Sequence, residues 1–244
     1  MLPLRHYDPS QLWFQLAEIV QERTYLRHGV QVREGDVVLD VGANVGVAAV
    51  FFASDCRAGV VHSFEPVAPL FDLLLENVAA LPACVPHPYG LGATTGEARI
   101  TYYPAAAAMS GLYADPDADR ALVRTVMLNR GLDEQEIERN LEGRYRAETL
   151  ACELRTLSAV LREQSLDRVD LLKIDVERAE LDVLRGIREE DWSAIRQVVV
   201  EIHDENDRCE RIVRELDRRR FRVVVDQEPI MRGTNVHVAY AIRG

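Results

Sequence analysis

Cysteine, aromatic residues, basic charge and long apolar runs are all scarce in this 244-residue chain, and each scarcity excludes something. The four cysteines, Cys56, Cys84, Cys152 and Cys209, are scattered, with no C-x-x-C pair and no histidine at zinc-ligand spacing. That excludes a disulfide framework or a structural zinc site and leaves free thiols. Lys and Arg number 29 against 40 Asp and Glu, a net charge of -11, and Arg218-Arg219-Arg220 is the one basic block. Binding a phosphate backbone needs a positive footprint, so nucleic acid is not an expected partner. The longest apolar run, Val45 to Ala53, is far shorter than the roughly 20 residues of a bilayer span, and the N-terminus lacks the zones of a signal peptide. A soluble, cytoplasmic protein with no membrane partner is expected, folded as a single domain over residues 1–244.

What is present is alternation. Short β-branched runs, each followed by a longer amphipathic run, begin at Val37, Val60, Val169 and Gln197. This is the pattern of parallel strands joined by helical crossovers, an α/β doubly wound sheet. The chain ends differently: Phe221 to Val225 and Val236 to Ile242 are separated by too few residues for a crossover helix and predict an antiparallel edge hairpin. Two segments lie outside the alternation. Residues 1–34 carry a helical apolar stripe (Leu12, Trp13, Leu16, Ile19, Val20), and residues 109–148 form a charged insertion whose length suits a lid. Met109 and Tyr113, with Tyr102 and Tyr103, are candidates for an apolar wall against a substrate.

Asp40-Val-Gly-Ala-Asn-Val-Gly46 stands where the first strand meets the first helix. Gly42 and Gly46 permit a tight turn and close backbone approach to a ligand. Glu65, at the end of the second strand, can accept both hydroxyls of a ribose. A nicotinamide dinucleotide and S-adenosylmethionine both satisfy a nucleoside site of this kind. The pyrophosphate of the former calls for G-x-G-x-x-G, whereas this turn is G-x-x-x-G with Asp40 and Asn44 as polar groups for an amino-acid end.

The stretch Leu171-Leu-Lys-Ile-Asp-Val-Glu177 changes from strand to helix period at Asp175, which is either a helix cap or a group facing a ligand. His203, at the end of the strand from Gln197, is the best placed of the six histidines to act as a general base, neutral at cellular pH if unperturbed. Glu201 shares its face and can orient it. His62 and His237 fall inside strands and read as structural. A rival reading gathers Asp175, Glu201, His203 and Asp204 around a divalent ion such as Mg²⁺, which leaves metal dependence open.

Together, Asp40 to Gly46, Phe64-Glu65-Pro66, Gly90-Leu91-Gly92 and Lys173-Ile-Asp-Val-Glu177 followed by Ala179-Glu-Leu-Asp-Val-Leu184 resemble the FkbM family of S-adenosylmethionine-dependent methyltransferases. The likeness covers about Val37 to Ile242. Met109-Ser-Gly-Leu-Tyr-Ala-Asp115 and Arg196 to His203 further resemble the branch associated with polyketide and mixed peptide–polyketide assembly lines, which is thought to methylate hydroxyl oxygens. The resemblance implies a seven-stranded Rossmann-like sheet and S-adenosyl-L-methionine as cofactor, with S-adenosyl-L-homocysteine as product. It implies that Asp40, Gly42, Asn44 and Gly46 surround the methionine part, that Glu65 holds the ribose, and that Gly90, Leu91 and Gly92 lie near the adenine. The acceptor would be a small or carrier-bound hydroxylated molecule, or an assembly-line intermediate. Many members have Gly directly after Asp-Val-Glu; this chain has Arg178, so no role tied to that Gly transfers. A nicotinamide-dependent oxidoreductase and an inactive Rossmann-like binding module are the alternatives.

Overall fold

The computed structural model describes residues 4–243, so the outermost residues of the expected 1–244 domain (1–3 and 244) lie outside it. The chain enters through α1 (Pro9–Gln15), capped by the Asp8 side chain, and continues as a π-helical turn, Leu16–Gln21, then a short 3-10 turn, Thr24–Leu26. The single N-terminal helix expected from the apolar stripe is therefore broken, and Trp13 faces solvent at 67% exposure. His28 follows the 3-10 turn with a positive φ and pairs with Asp226.

Seven strands form the main sheet: β1 (Val37–Val41), β2 (Val60–Phe64), β3 (Cys84–His87), β7 (Leu171–Ile174), β8 (Gln197–His203), β9 (Phe221–Asp226) and β10 (Val236–Arg243). Their spatial order is β3-β2-β1-β7-β8-β10-β9. The first five pair in parallel, while β10 runs antiparallel to both β8 and β9, so the final hairpin closes the sheet as its pattern requires. The helices α2 (Val47–Val50), α3 (Ala68–Val78), α6 (Leu157–Glu163), α7 (Glu180–Arg185) and α8 (Arg208–Arg218) cover its faces. A second sheet, in which β6 (Glu148–Arg155) lies between β4 (Gly90–Leu91) and β5 (Gly96–Tyr102), was not anticipated. β4 is only two residues long, and β5 and β6 are polar and mostly exposed or half-buried, so they lack the continuous apolar signal of the central strands. Between β5 and β6 run α4 (Pro116–Asn129) and α5 (Glu134–Leu141), each capped by an aspartate, Asp115 and Asp133.

The sheet reverses its strand order between β1 and β7, and ligands of doubly wound sheets bind at the carboxyl edge there. The period of two fixes what gathers on that edge. Val38, Leu171 and Val199 lie in the core cluster on one face, and two residues further along the same face come Asp40, Lys173 and Glu201. Asp40 and Lys173 are register partners. The sheet thus passes from apolar to ionic as it approaches its edge.

Gly42 makes this edge possible. Its φ is +79°, and a Cβ there would lie 1.7 Å from the Asp175 carbonyl oxygen, so β1 and β7 come together through a position that admits no side chain. Gly42→Ala should cost at least about 3 kcal/mol, since both backbone strain and a clash with main chain act. Gly131→Ala, with φ +83° but open space around it, should cost only about 1 kcal/mol. Urea unfolding of the two variants checks the contrast.

Candidate functional site

A cleft of about 1130 Å³, open solvent at its mouth included, lies over the carboxyl edges of β1, β7 and β8. One end is built by the Gly turn. The Gly42 and Ala43 N–H groups donate to the Phe64 carbonyl at 3.1 and 3.0 Å, tying the turn to β2. Glu65 follows and is buried; its carboxylate accepts the Asn44 N–H at 2.8 Å and the Val67 N–H at 2.9 Å. Burial pushes the Glu65 carboxyl up to about 7, and the two backbone donors only partly offset it. Gly42, Asn44, Glu65, Gly90 and Leu91 all line the cleft.

Three expected cofactor-end residues do not reach it. Asp40 is fully buried and faces the Lys173 ammonium at 3.0 Å beneath the turn. Gly46 lies behind the turn at φ +90°, where a Cβ would meet Leu74 at 2.7 Å. Gly92 donates its N–H to the Arg155 carbonyl and supports the small sheet. Their roles are in the backbone and charge framework rather than at the cleft wall.

The other end is acidic. Asp175 lines the cleft, accepts the Tyr25 hydroxyl at 2.9 Å and lies 3.6 Å from the Lys173 ammonium. It caps nothing: α7 begins at Glu180, after Ala179, with no side-chain cap. The ligand-facing alternative for Asp175 is the one consistent with this geometry. Glu18, from the N-terminal turn, and Glu201 face the same cleft. Burial, reinforced by the like charges of Asp175 and its neighbours, raises Glu18 to about 8 and Glu201 well above the usual carboxylate range.

His203 differs from the free neutral imidazole that was expected. It is the last residue of β8, almost fully buried, with Nδ1 3.0 Å from a Glu180 oxygen and Nε2 3.0 Å from a Glu177 oxygen. Burial alone would lower its affinity for a proton, but the two carboxylates outweigh burial and raise it well above the ordinary histidine value. The ring is therefore held between two carboxylates that favour its protonated form, and does not stand as a free base. Asp204, proposed beside it, instead accepts the Cys209 N–H at the start of α8. Glu177 takes its place.

Glu177 and Arg178 both adopt left-handed backbone, φ +48° and +75°, a conformation that costs a non-glycine residue roughly 1 kcal/mol or more. The side chain of Arg178 offsets the strain. It is buried, with Nη1 2.7 Å from Asp119 of α4 and Nε donating to Glu205 at 2.8 Å. Asp119 is itself fully buried, so the insertion is latched to the turn that carries Glu177. Gly111 completes the contact: a Cβ there would lie 2.8 Å from the Glu177 Cβ.

Met109 lines the cleft, as do Phe14, Leu122 and Met231, giving an apolar wall. Tyr113 does not; it is 53% exposed and donates its hydroxyl to Asp182 on the outside. Tyr102 and Tyr103 are buried in packing instead, against Tyr7 and Tyr145. Lys173, Glu18 and Glu180 were missed as site residues. Lys173 alone gave a signal, as the one charge inside the buried strand Leu171 to Ile174.

A glycine turn on β1, an acidic residue ending β2 and an antiparallel final hairpin are the arrangement of class I methyltransferases. The family model described as Methyltransferase FkbM domain matches residues 40–223. The chain belongs to the FkbM methyltransferase family. This sets aside the nicotinamide oxidoreductase reading. The chain is 37% identical over 240 residues to the 31-O-demethyl-FK506 methyltransferase FkbM of Streptomyces tacrolimicus, covering 98% of this chain and 92% of that one. It is 36% identical over 241 residues to the AMB antimetabolite synthetase AmbE of Pseudomonas aeruginosa, covering 93% of this chain but 11% of that much longer protein. The solved structure of an FkbM methyltransferase from Methylobacillus flagellatus superposes with a TM-score of 0.54 at 14% identity over 88% of this chain and 46% of that one, which supports the shared fold. Among the described residues no helix is long and apolar enough to cross a membrane.

Within this FkbM domain the Arg178 latch makes a stability prediction. Arg178→Gly should relieve the left-handed strain, worth about 1 kcal/mol, but strand the Asp119 carboxylate, costing about 3 kcal/mol or more. A net loss near 2 kcal/mol in denaturant unfolding is expected, and adding Asp119→Asn should recover part of it.

Proposed function

We propose that the protein is an S-adenosylmethionine-dependent O-methyltransferase acting on a hydroxyl group of a polyketide or related specialised metabolite. The observation that carries this reading is that one cleft joins the Gly42–Asn44 turn and Glu65 to the Glu177, Glu201 and His203 group. A nucleoside at the first end would place its methyl group toward the second. The residues fit the cofactor: Gly42 lets the turn close tightly against the Asp175 main chain beneath the cleft, and Glu65 presents a buried carboxylate at the end of β2, where a ribose would lie. When bound, the cofactor supplies an electrophilic methyl group.

The chain's own residues then have three tasks. Gly42, Asn44, Glu65, Gly90 and Leu91 hold the nucleoside end. The apolar wall of Met109, Phe14, Leu122 and Met231 excludes water and seats an apolar acceptor. Asp175, Glu177, Glu201 and His203 orient the acceptor hydroxyl in line with the transferring methyl, the arrangement from which much of the rate acceleration of such a displacement comes. The name of the Streptomyces relative, a 31-O-demethyl-FK506 methyltransferase, supports an oxygen acceptor on a polyketide-type molecule. A carrier-bound acceptor is the variant of this reading; the relative AmbE, an antimetabolite synthetase, is in keeping with a specialised-metabolite setting.

Glu65 sets a pH dependence. With its carboxyl at about 7, it becomes the charged acceptor that ribose hydroxyls prefer only as pH rises through neutrality. S-adenosylhomocysteine affinity should therefore increase from pH 6 to pH 8. The ligand-free fold responds oppositely: a raised carboxyl stabilises it below the unfolded value of 4.5, and this is lost as pH rises through about 7. Calorimetry should show the affinity slope in the parent protein, and in Glu65→Gln a loss of about tenfold or more with the slope gone. His203→Gln should keep S-adenosylhomocysteine affinity and lose most methyl transfer to a hydroxylated acceptor. Full transfer in that variant would remove His203 from the reaction.

A further inference from the structure

We propose that Glu177, Glu201 and His203 form a binding site for one divalent cation of the Mg²⁺ or Mn²⁺ class, with Glu180 as the residue that orients the histidine. The proposal deepens the methyltransferase reading but does not depend on it, because cation binding is measurable without methyl transfer. Each of the three side chains offers one ligand atom, and these atoms lie within 4.8 Å of one another. Glu177 Oε2 and His203 Nε2 are 3.0 Å apart. Ligands at the ~2.1 Å typical of octahedral Mg²⁺ stand about 3.0 Å from their neighbours around the ion, so this pair is already at coordination spacing.

Three further observations point to a cation rather than to a self-contained ion pair. Glu177 is nine-tenths buried and lines the cleft, and its Oε2 faces the His203 ring at 3.0 Å but out of good hydrogen-bond geometry. Nδ1 of His203 is held by Glu180, which is fully buried and fixed in turn by the Arg178 N–H at 2.8 Å. A carboxylate on one ring nitrogen sets the tautomer that leaves the other nitrogen's lone pair for a metal, the usual support of a metal-ligating histidine. Finally, five carboxylates line the cleft, Glu18, Glu65, Asp175, Glu177 and Glu201, and among the described residues no Lys or Arg does. A hard cation there would meet oxygen donors and no competing ammonium or guanidinium at the cleft wall.

The donor set selects the ion class. Two carboxylates and one imidazole with no thiolate suit a hard cation that keeps water or a substrate oxygen in its remaining positions. Coordinated there, an acceptor hydroxyl would be polarised by the ion and held at a fixed point relative to the transferring methyl.

Mn²⁺ is the probe, followed by the loss of the free-ion signal in electron paramagnetic resonance and by calorimetry on the full chain. The parent should bind one Mn²⁺, displaceable by Mg²⁺. Glu177→Gln and Glu201→Gln should each weaken binding at least tenfold, and Glu180→Gln should weaken it by 10- to 100-fold through the histidine. Asp204→Asn should leave binding unchanged. Circular dichroism melts establish that each variant is folded, and S-adenosylhomocysteine titrations on the same samples separate the two readings. Mn²⁺ binding without S-adenosylhomocysteine binding would uphold the cation site and sink the methyltransferase assignment of the cleft. Absence of Mn²⁺ binding to the parent, or binding that all of these variants retain, overturns the site even where S-adenosylhomocysteine binds normally.

Discussion

A single buried ammonium holds the carboxyl edge of the sheet together. Lys173 is 2% exposed and stands in the middle of a strand that is otherwise wholly apolar. Its Nζ donates to the Gly42 carbonyl at 2.9 Å and faces Asp40 at 3.0 Å and Asp175 at 3.6 Å. Burial opposes its charge, but the two aspartates more than restore it and raise the ammonium above the ordinary lysine value. Removing one partner from such a group leaves an uncompensated buried charge, commonly a loss of 3 to 5 kcal/mol. The glycine turn, the strand that carries Asp175 and the floor of the cleft are therefore one electrostatic unit.

Beyond that unit stands a second cluster of buried and half-buried acidic side chains. Glu18, Glu177 and Glu201 gather above Lys173 with His203 as their cationic neighbour, and burial raises the first and last of these carboxylates far from their usual range. A positive ligand entering the cleft would favour the ionised forms that burial disfavours. The Arg178–Asp119 pair has a different task. It offsets the strain of two successive left-handed residues and ties the insertion to the turn bearing Glu177. The acidic end of the cleft is thus fixed from below by Lys173 and from above by Arg178.

Most of the main sheet was legible in the sequence because its central strands are buried and read as continuous apolar runs; the edge strand β3, half-buried and holding Pro86, was not. The final hairpin was legible for a simpler reason: the residues between Val225 and Val236 are too few for a crossover. The small sheet of β4, β5 and β6 was not, because a two-residue strand and two polar, part-exposed ones carry no such signal. At the site, Glu65, Asp175 and Glu201 could be placed from strand ends alone, and all three face the cleft. Tyr113 and Asp40 could not be placed correctly, since position along the chain does not say whether a side chain turns toward a cleft, solvent or a buried partner. His203 shows the limit most clearly. Its location followed from β8, but its protonation follows from Glu177 and Glu180, which reach it from the β7–α7 connection and the start of α7.

The dependence of the cleft on Lys173 is the central claim, and Lys173→Met tests it most directly. Methionine keeps most of the volume and removes the charge. Thermal unfolding and S-adenosylhomocysteine calorimetry on this variant should fall together, the midpoint by about 10 °C and the affinity by at least about tenfold, as Asp40 loses its partner and the Gly42 turn its anchor. A variant that melts with the parent and binds S-adenosylhomocysteine equally well would contradict the account.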